Sequence, residues 1–255
     1  MGPLYTVMLS NGSSRRMVHA DSLFQAASLT KPVIAFVALS LARQGQLDLD
    51  APVSQYLPSG YRHRQNPRSN PREFDLVDAN MLASIPVATL LNHSSGLPNW
   101  SGNTLKPGFA AGQRWSYSGE AYVLLHAIIS AITAQEIDTS VERYVFEPLE
   151  MGRSRMRLTE GMRDQVVGST GWLPWARPIE FVEANAAASL YTTAEDYAKL
   201  MAHWVKDDAL LALTLSRPVT VDPSLGLSWG CGWGIEAAAG GPYLWQWGNN
   251  PIHRT

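Results

Sequence analysis

Cysteine occurs once, at Cys231, so the chain can close no internal disulfide and offers no thiolate cluster for structural zinc. An excess of one charge is missing too. Twenty basic against 22 acidic side chains leave a net charge of -2, too weak a field to gather nucleic acid or an anionic membrane. No apolar run approaches the roughly 20 residues of a membrane span. Residues 1–10 carry neither a basic leader nor a small-residue cleavage pattern, and compartment stays open between the cytoplasm and export with a removed signal. His19, His63, His93, His126, His203 and His253 show no paired metal spacing and no carboxylate arrangement beside them, so polar or surface roles are expected for all six. Phosphate-loop and dinucleotide fingerprints are absent as well. These absences point to a small neutral or weakly polar substrate and a reaction that needs no cofactor and no metal.

What is present is material for a large core: 255 residues, 45% of them apolar. Residues 4–10 read as a short strand followed by the turn Asn11-Gly12. Over 28–44, Val33, Ile34, Phe36, Val37, Leu39 and Leu41 are apolar almost all round, the pattern of a helix buried on most sides, and Gly45 supplies its stop. Residues 51–80 are rich in Pro, Arg and Asn. Within them 61–72 carry four arginines without hydrophobic periodicity, which predicts a solvated excursion, with cover for a pocket as the second reading. Helical patterns return over 87–92, 119–134, 139–146 and 193–205, the last opening on Thr193 with Glu195 and Asp196 in its first turn. The aromatic-rich runs 227–236 and 243–247, separated by Ala-Gly-Gly-Pro, predict a β-hairpin. The expected fold is α/β (α+β). A sheet-containing lobe is built from 1–50 and 207–255, a mostly helical lobe from 51–206, and the active site lies between them.

Ser28-Leu29-Thr30-Lys31 stands at the mouth of the buried helix. Positions three apart share a helix face, so the Lys31 amine can reach the Ser28 hydroxyl. A serine hydroxyl is a weak nucleophile until a base takes its proton, and lysine serves once desolvation lowers its pKa. Backbone N–H groups at the helix start favour a developing oxyanion. A capping serine followed by a solvated lysine is the plain structural alternative.

Context favours the catalytic reading. Leu23-Phe24-Gln25-Ala26-Ala27-Ser28-Leu29-Thr30-Lys31-Pro32, then Gly45-Gln46-Leu47-Asp48-Leu49-Asp50, resembles the serine β-lactamase and penicillin-binding-protein superfamily. The branch it resembles holds class C β-lactamases, DD-peptidases and esterases of the same fold. Leu90-Leu91-Asn92-His93-Ser94-Ser95-Gly96-Leu97-Pro98, Trp115-Ser116-Tyr117-Ser118-Gly119, Phe146-Glu147-Pro148-Leu149-Glu150-Met151-Gly152 and Ser189-Leu190-Tyr191-Thr192-Thr193 continue the likeness in order.

The resemblance implies an antiparallel sheet flanked by helices, with Ser28 as nucleophile, Lys31 as proton-transfer partner and Tyr117 sharing the proton. Gly119 stands where the family usually has asparagine, which removes an amide from the site. Gln246-Trp247-Gly248 stands where the family has Lys-Thr-Gly or His-x-Gly on a strand lining the substrate; Gln246 can donate a hydrogen bond to the substrate but carries no positive charge, so a substrate carboxylate loses a cationic partner. The backbone N–H groups of Ser28 and Asn249 are implied as the oxyanion hole, with Gly248 allowing close approach. Gly119 and Gln246 together tilt the expectation to a carboxylesterase acting on short-chain esters. The alternatives are a β-lactamase or D-alanyl-D-alanine carboxypeptidase, and, from another class, a catalytically silent binding module of the same fold.

Gly226-Leu227-Ser228-Trp229-Gly230 is a literal G-x-S-x-G, followed by Glu236 and His253 in the order an α/β-hydrolase requires. Its context excludes a nucleophile elbow: Gly230, Cys231, Gly232, Trp233 and Gly234 follow Ser228 where a helix must begin. Against the family pattern both ends are short, and Pro251-Ile252-His253-Arg254-Thr255 departs from it. The expectation is a sheet incomplete at both ends, with an exposed edge strand that favours self-association.

Overall fold

The structure is a computed structural model that describes residues 18–65, 74–167, 179–181 and 183–250. The expected strand at 4–10 with its turn, most of the arginine-rich stretch and His253 lie outside the described residues.

After a short strand β1 (Phe24–Gln25) and one 3-10 turn (Ala27–Leu29), helix α1 runs over Thr30–Arg43. Pro32 sits in its first turn, where a missing N–H costs no helical hydrogen bond. Its end is closed by Gly45 N–H donating to Ala42 O (3.0 Å) and Gln46 N–H donating to Leu41 O (2.9 Å). Val33, Ile34, Val37, Leu39 and Leu41 are fully buried, as the all-round apolar pattern requires. Each such side chain contributes roughly 1.5–3 kcal/mol on burial, so α1 is the axis on which the rest is packed.

Strands β2 (Tyr61–Arg64) and β3 (Phe74–Val77) precede the short helices α2 (Ala79–Ala83) and α3 (Val87–Leu91). Helix α4 (Gly119–Thr133) is capped by Ser118, whose Oγ accepts from Ala121 N–H (2.9 Å). It is followed by α5 (Ile137–Val141), which continues into a π-helical turn at Glu142–Phe146. Helices α4, α5 and α7 (Asp208–Leu215) all pack on α1. Between them come β4 (Tyr191–Thr192), antiparallel to β1, and α6 (Ala194–Lys206), capped by Thr193 Oγ1 accepting from Asp196 N–H (3.1 Å). The chain then forms an antiparallel meander of β5 (Val219–Asp222), β6 (Leu227–Trp229), β7 (Gly234–Glu236) and β8 (Tyr243–Trp245). Antiparallel sheet with flanking helices is thus the observed fold class. Among the described residues no helix is long and apolar enough to cross a membrane.

Three expectations change. The start of the arginine-rich excursion is not a solvated loop, because Tyr61 and His63 alternate inward from β2, paired with Val77 and Asp75 of β3. His63 also contradicts the expectation that no carboxylate flanks a histidine: its Nδ1 lies 2.7 Å from Asp75 Oδ1 and its Nε2 3.3 Å from Glu120 Oε2. Only the first contact has hydrogen-bond geometry. Burial alone would lower the His63 pKa, but Glu120 and Asp75 outweigh it and the net shift is upward. Both carboxylates are remote from His63 in sequence, which is why spacing missed them. Third, the strand ends at Trp245, so Gln246-Trp247-Gly248 forms the irregular segment just past β8.

The glycine-rich turn after Ser228 is explained by packing. A Cβ on Gly232 (φ +99°) would stand 2.5 Å from the Cβ of Ala35 on α1, so only glycine lets the sheet rest on the helix. Cys231 beside it is buried, which pushes its thiol up to about 12. Gly232→Ala is expected to lower the unfolding free energy by about 1–3 kcal/mol. Urea denaturation measures this, and an unchanged midpoint would contradict the close approach.

Candidate active site

The chain enters the site strained and held on both sides. Ala26 N–H donates to Leu190 O (2.9 Å), and Ala27 adopts a left-handed backbone (φ 48°), of order 1–3 kcal/mol for a residue with a Cβ. Thr30 Oγ1 donates to Ala27 O (2.6 Å) and accepts from Leu190 N–H (3.0 Å). Ser28, between the two clamps, is half-buried on the 3-10 turn and aimed along the first turn of α1.

Lys31 Nζ lies 3.1 Å from Ser28 Oγ and donates to Ala187 O (2.9 Å). The side chain is 1% exposed. Burial lowers its pKa from the ordinary 10.5 to about 7, so the free amine is accessible at neutral pH. Its Nζ stands 4.7 Å from the centroid of the Tyr117 ring. Burial works in the opposite direction on Tyr117, pushing its phenol up to about 12 against the downward pull of the neighbouring Ser28 and Gln246 side chains. The phenol oxygen is buried near both groups, yet no described atom meets it in hydrogen-bond geometry.

His93 forms the floor beneath this trio. Its ring centroid is 4.3 Å from that of Tyr117, and Ser118 N–H donates to its Nδ1 (3.1 Å). Burial, then the Lys31 charge, holds its pKa well below the ordinary value, so it stays a neutral, rigid support. Trp229 packs edge-on against His93, Tyr117 and Trp245, and Trp245 stacks on Trp247 at 4.8 Å. Ser228, the nucleophile of the rejected motif, lies in β6 and is followed by the Gly230–Gly234 turn without a helix.

Above Ser28 opens a cavity of about 340 Å³, bordered by Lys31, Tyr117 and Asn249 and walled by aromatic groups such as Trp100, Trp115 and Trp247. Lys31 is the one cationic side chain among the described residues lining it, and none of them is acidic. Gln246, Gly248 and Gly119 are not part of that lining. The Gln246 carboxamide is spent on the backbone: Nε2 donates to Ser28 O (3.1 Å) and Oε1 accepts from Trp247 N–H (3.2 Å). It ties the segment after β8 to the serine turn. Gly119 N–H donates to Asn99. Among the described residues no group of three or more His, Cys, Asp or Glu is arranged to hold a metal ion.

Of the residues singled out from sequence, the structure brings Ser28, Lys31, Tyr117, Trp247 and Asn249 to one cavity. Sequence reasoning missed His93, Ala187 and Asn99. His93 had a signal, since it lies in the same Leu90–Pro98 segment that carries the family likeness. The other two contribute through a carbonyl and a loop position, which leave no residue-type mark.

A sequence model of the family described as Beta-lactamase matches residues 5–254. The chain is 30% identical over 173 residues to Esterase EstB of Burkholderia gladioli, covering 56% of this chain and 41% of that protein. It is 26% identical over 183 residues to Penicillin-binding protein 4 of Amycolatopsis lactamdurans, covering 64% and 44%. It therefore spans less than half the length of these relatives. Among solved structures, D-amino acid amidase from Ochrobactrum anthropi SV3 complexed with L-phenylalanine superposes with a TM-score of 0.73 at 21% identity, over 96% of this chain and 74% of that one. The match across residues 5–254 establishes that the chain belongs to the Beta-lactamase family.

Proposed function

We propose that this protein is a serine hydrolase that forms an acyl-enzyme on Ser28, with short-chain esters as its substrates. One observation carries the reading: a fully buried lysine amine, its pKa near 7, stands 3.1 Å from a serine hydroxyl at the mouth of a cavity. The plain alternative, a capping serine beside a solvated lysine, does not fit a lysine that is 1% exposed.

The neutral Lys31 amine takes the Ser28 proton as Oγ attacks the ester carbonyl carbon. Negative charge moves to the carbonyl oxygen, where the Ser28 and Asn249 N–H groups stabilise it. As the carbon–oxygen bond to the alcohol breaks, the proton returns from the Lys31 ammonium through the Tyr117 hydroxyl to the departing oxygen. Water then attacks the acyl-serine, its proton passing to Lys31 by the same route, and Ser28 regains its proton as the carboxylic acid leaves. Two features favour esters over β-lactams and D-alanyl peptides. Gln246 brings no positive charge to hold a substrate carboxylate, and its amide is already engaged by the Ser28 carbonyl. The esterase among the relatives supports the same choice.

Stoichiometric labelling by a fluorophosphonate probe is expected on the wild-type chain and none on Ser28→Ala; a folded wild-type chain that takes up no label would sink the hydrolase reading. Lys31→Met is expected to lower kcat/KM for p-nitrophenyl butyrate by about 10²–10⁴-fold, the usual contribution of a general base. Because the unprotonated amine is the active form, kcat/KM falls about tenfold per pH unit below pH 7 and levels off above it. A profile flat across about pH 5–9 would remove Lys31 from the role of base. Nitrocefin turnover faster than butyrate hydrolysis would reverse the substrate ranking.

A further inference from the structure

Gly119 has lost the amide that the resembling proteins carry at that position, but a carboxamide reaches the same helix end from elsewhere. Asn99, on the loop after Pro98, is bound tightly to the start of α4. Gly119 N–H is shared between Asn99 O and Asn99 Oδ1, each at 3.0 Å, and Glu120 N–H donates to Asn99 O (3.2 Å). Ser118 Oγ donates to Pro98 O (2.8 Å), and Ser101 N–H donates to Glu120 Oε1 (2.8 Å). The loop thus satisfies N–H groups that a helix start leaves without partners.

Glycine at 119 is a condition of this arrangement. A Cβ there would stand 2.5 Å from Asn99 O, 3.1 Å from Asn99 Oδ1 and 3.3 Å from the Trp100 ring. A side chain at 119 and Asn99 in its present place exclude each other.

The bond from Gly119 N–H also fixes which way the carboxamide faces. An N–H can meet only the oxygen end, so Oδ1 is turned to the helix and Nδ2 is the remaining end. Among the described residues nothing accepts a hydrogen bond from Nδ2. Asn99 is exposed and borders the same cavity as Ser28, Lys31 and Tyr117.

We propose that Asn99 is a specificity-determining residue, which presents an oriented N–H donor to an acceptor oxygen on the acyl portion of the substrate. The substrate class it selects is an uncharged ester whose acyl chain carries a second carbonyl a few bonds from the scissile one. The inference rests on acylation of Ser28. It differs from it in predicting preference within esters.

Two p-nitrophenyl esters of matched length test it, the 4-oxopentanoate and the pentanoate. The quantity read is the ratio of their kcat/KM values, in which general losses of activity cancel. Asn99→Asp keeps an oxygen for Gly119 N–H but replaces the donor end by an acceptor; Asn99→Ala removes both ends. Each is expected to lower the oxo-to-plain ratio about five- to tenfold, the worth of one hydrogen bond. An unchanged ratio in Asn99→Asp, with Ser28 still labelled by fluorophosphonate, overturns the role of Asn99 and leaves the hydrolase reading standing. A loss shared equally by both esters also overturns it, since a merely structural loop would behave that way. A folded wild-type chain that takes up no label removes both proposals together.

Discussion

Exclusion of water around the Lys31 amine is the constraint on which the rest of the structure depends. Burial disfavours whichever form of a group is charged, so one dry environment moves lysine and tyrosine in opposite directions. Lys31 falls to about 7 and Tyr117 rises to about 12. The pair is thereby sorted: near neutrality one group can hold or release a proton while the other remains a neutral phenol. No second charge is needed to divide the roles. What is needed is packing: α1 buried on all sides, the Tyr117 and Tyr122 rings over the amine, and a neutral His93 beneath them.

This arrangement costs stability. Between pH 7 and the ordinary lysine value of 10.5, the unfolded chain holds a proton that the folded chain has released, so the Lys31 contribution to stability rises with pH across that window. Below it the folded state carries a desolvated ammonium, with a carbonyl, a hydroxyl and a ring face for company. The left-handed Ala27 adds strain just ahead of the serine. Both costs fall at the N-terminal end of α1, where the apolar residues of the following turns supply the offset. The helix that desolvates the amine is also the one that anchors the core.

The sequence carried this part of the protein well. An apolar pattern almost all round residues 28–44 points to a helix buried on most sides, and the structure settles the side left open by placing Lys31 on its buried first turn. Thr193 could be recognised at a helix start because a cap acts on its own chain a few residues away. Illegible were the contacts between distant segments. His63 looked like a surface residue until β3 and α4 brought Asp75 and Glu120 to it. Gln246 looked like a substrate donor, but its amide turns to the Ser28 carbonyl, a partner 218 positions away. Gly119 read as a loss, since nothing in the chain marks Asn99 as its neighbour. Residue type announces what a group can do, and only tertiary structure says what it is already doing.

That distinction bears on substrate choice. The cavity is bordered by several carboxamides, and counting them by type suggests abundant polar recognition. Two of them are spent: Gln25 donates to Ile179 O and to Tyr191 Oη, and Asn250 donates to Gln25 O. Gln246, just outside the lining, donates to Ser28 O. These amides brace the backbone around the serine instead of facing a ligand. Asn99 differs because its oxygen is the engaged end, which leaves a donor at the cavity edge. With Lys31 as the only cation in the described lining, and proposed for proton transfer, no further charge is left there to hold an anionic substrate. Such a lining suits neutral molecules told apart by where their acceptor oxygens fall, which accords with the proposed esterase activity, since the motif residues lack the charge that a carboxylate-bearing substrate requires.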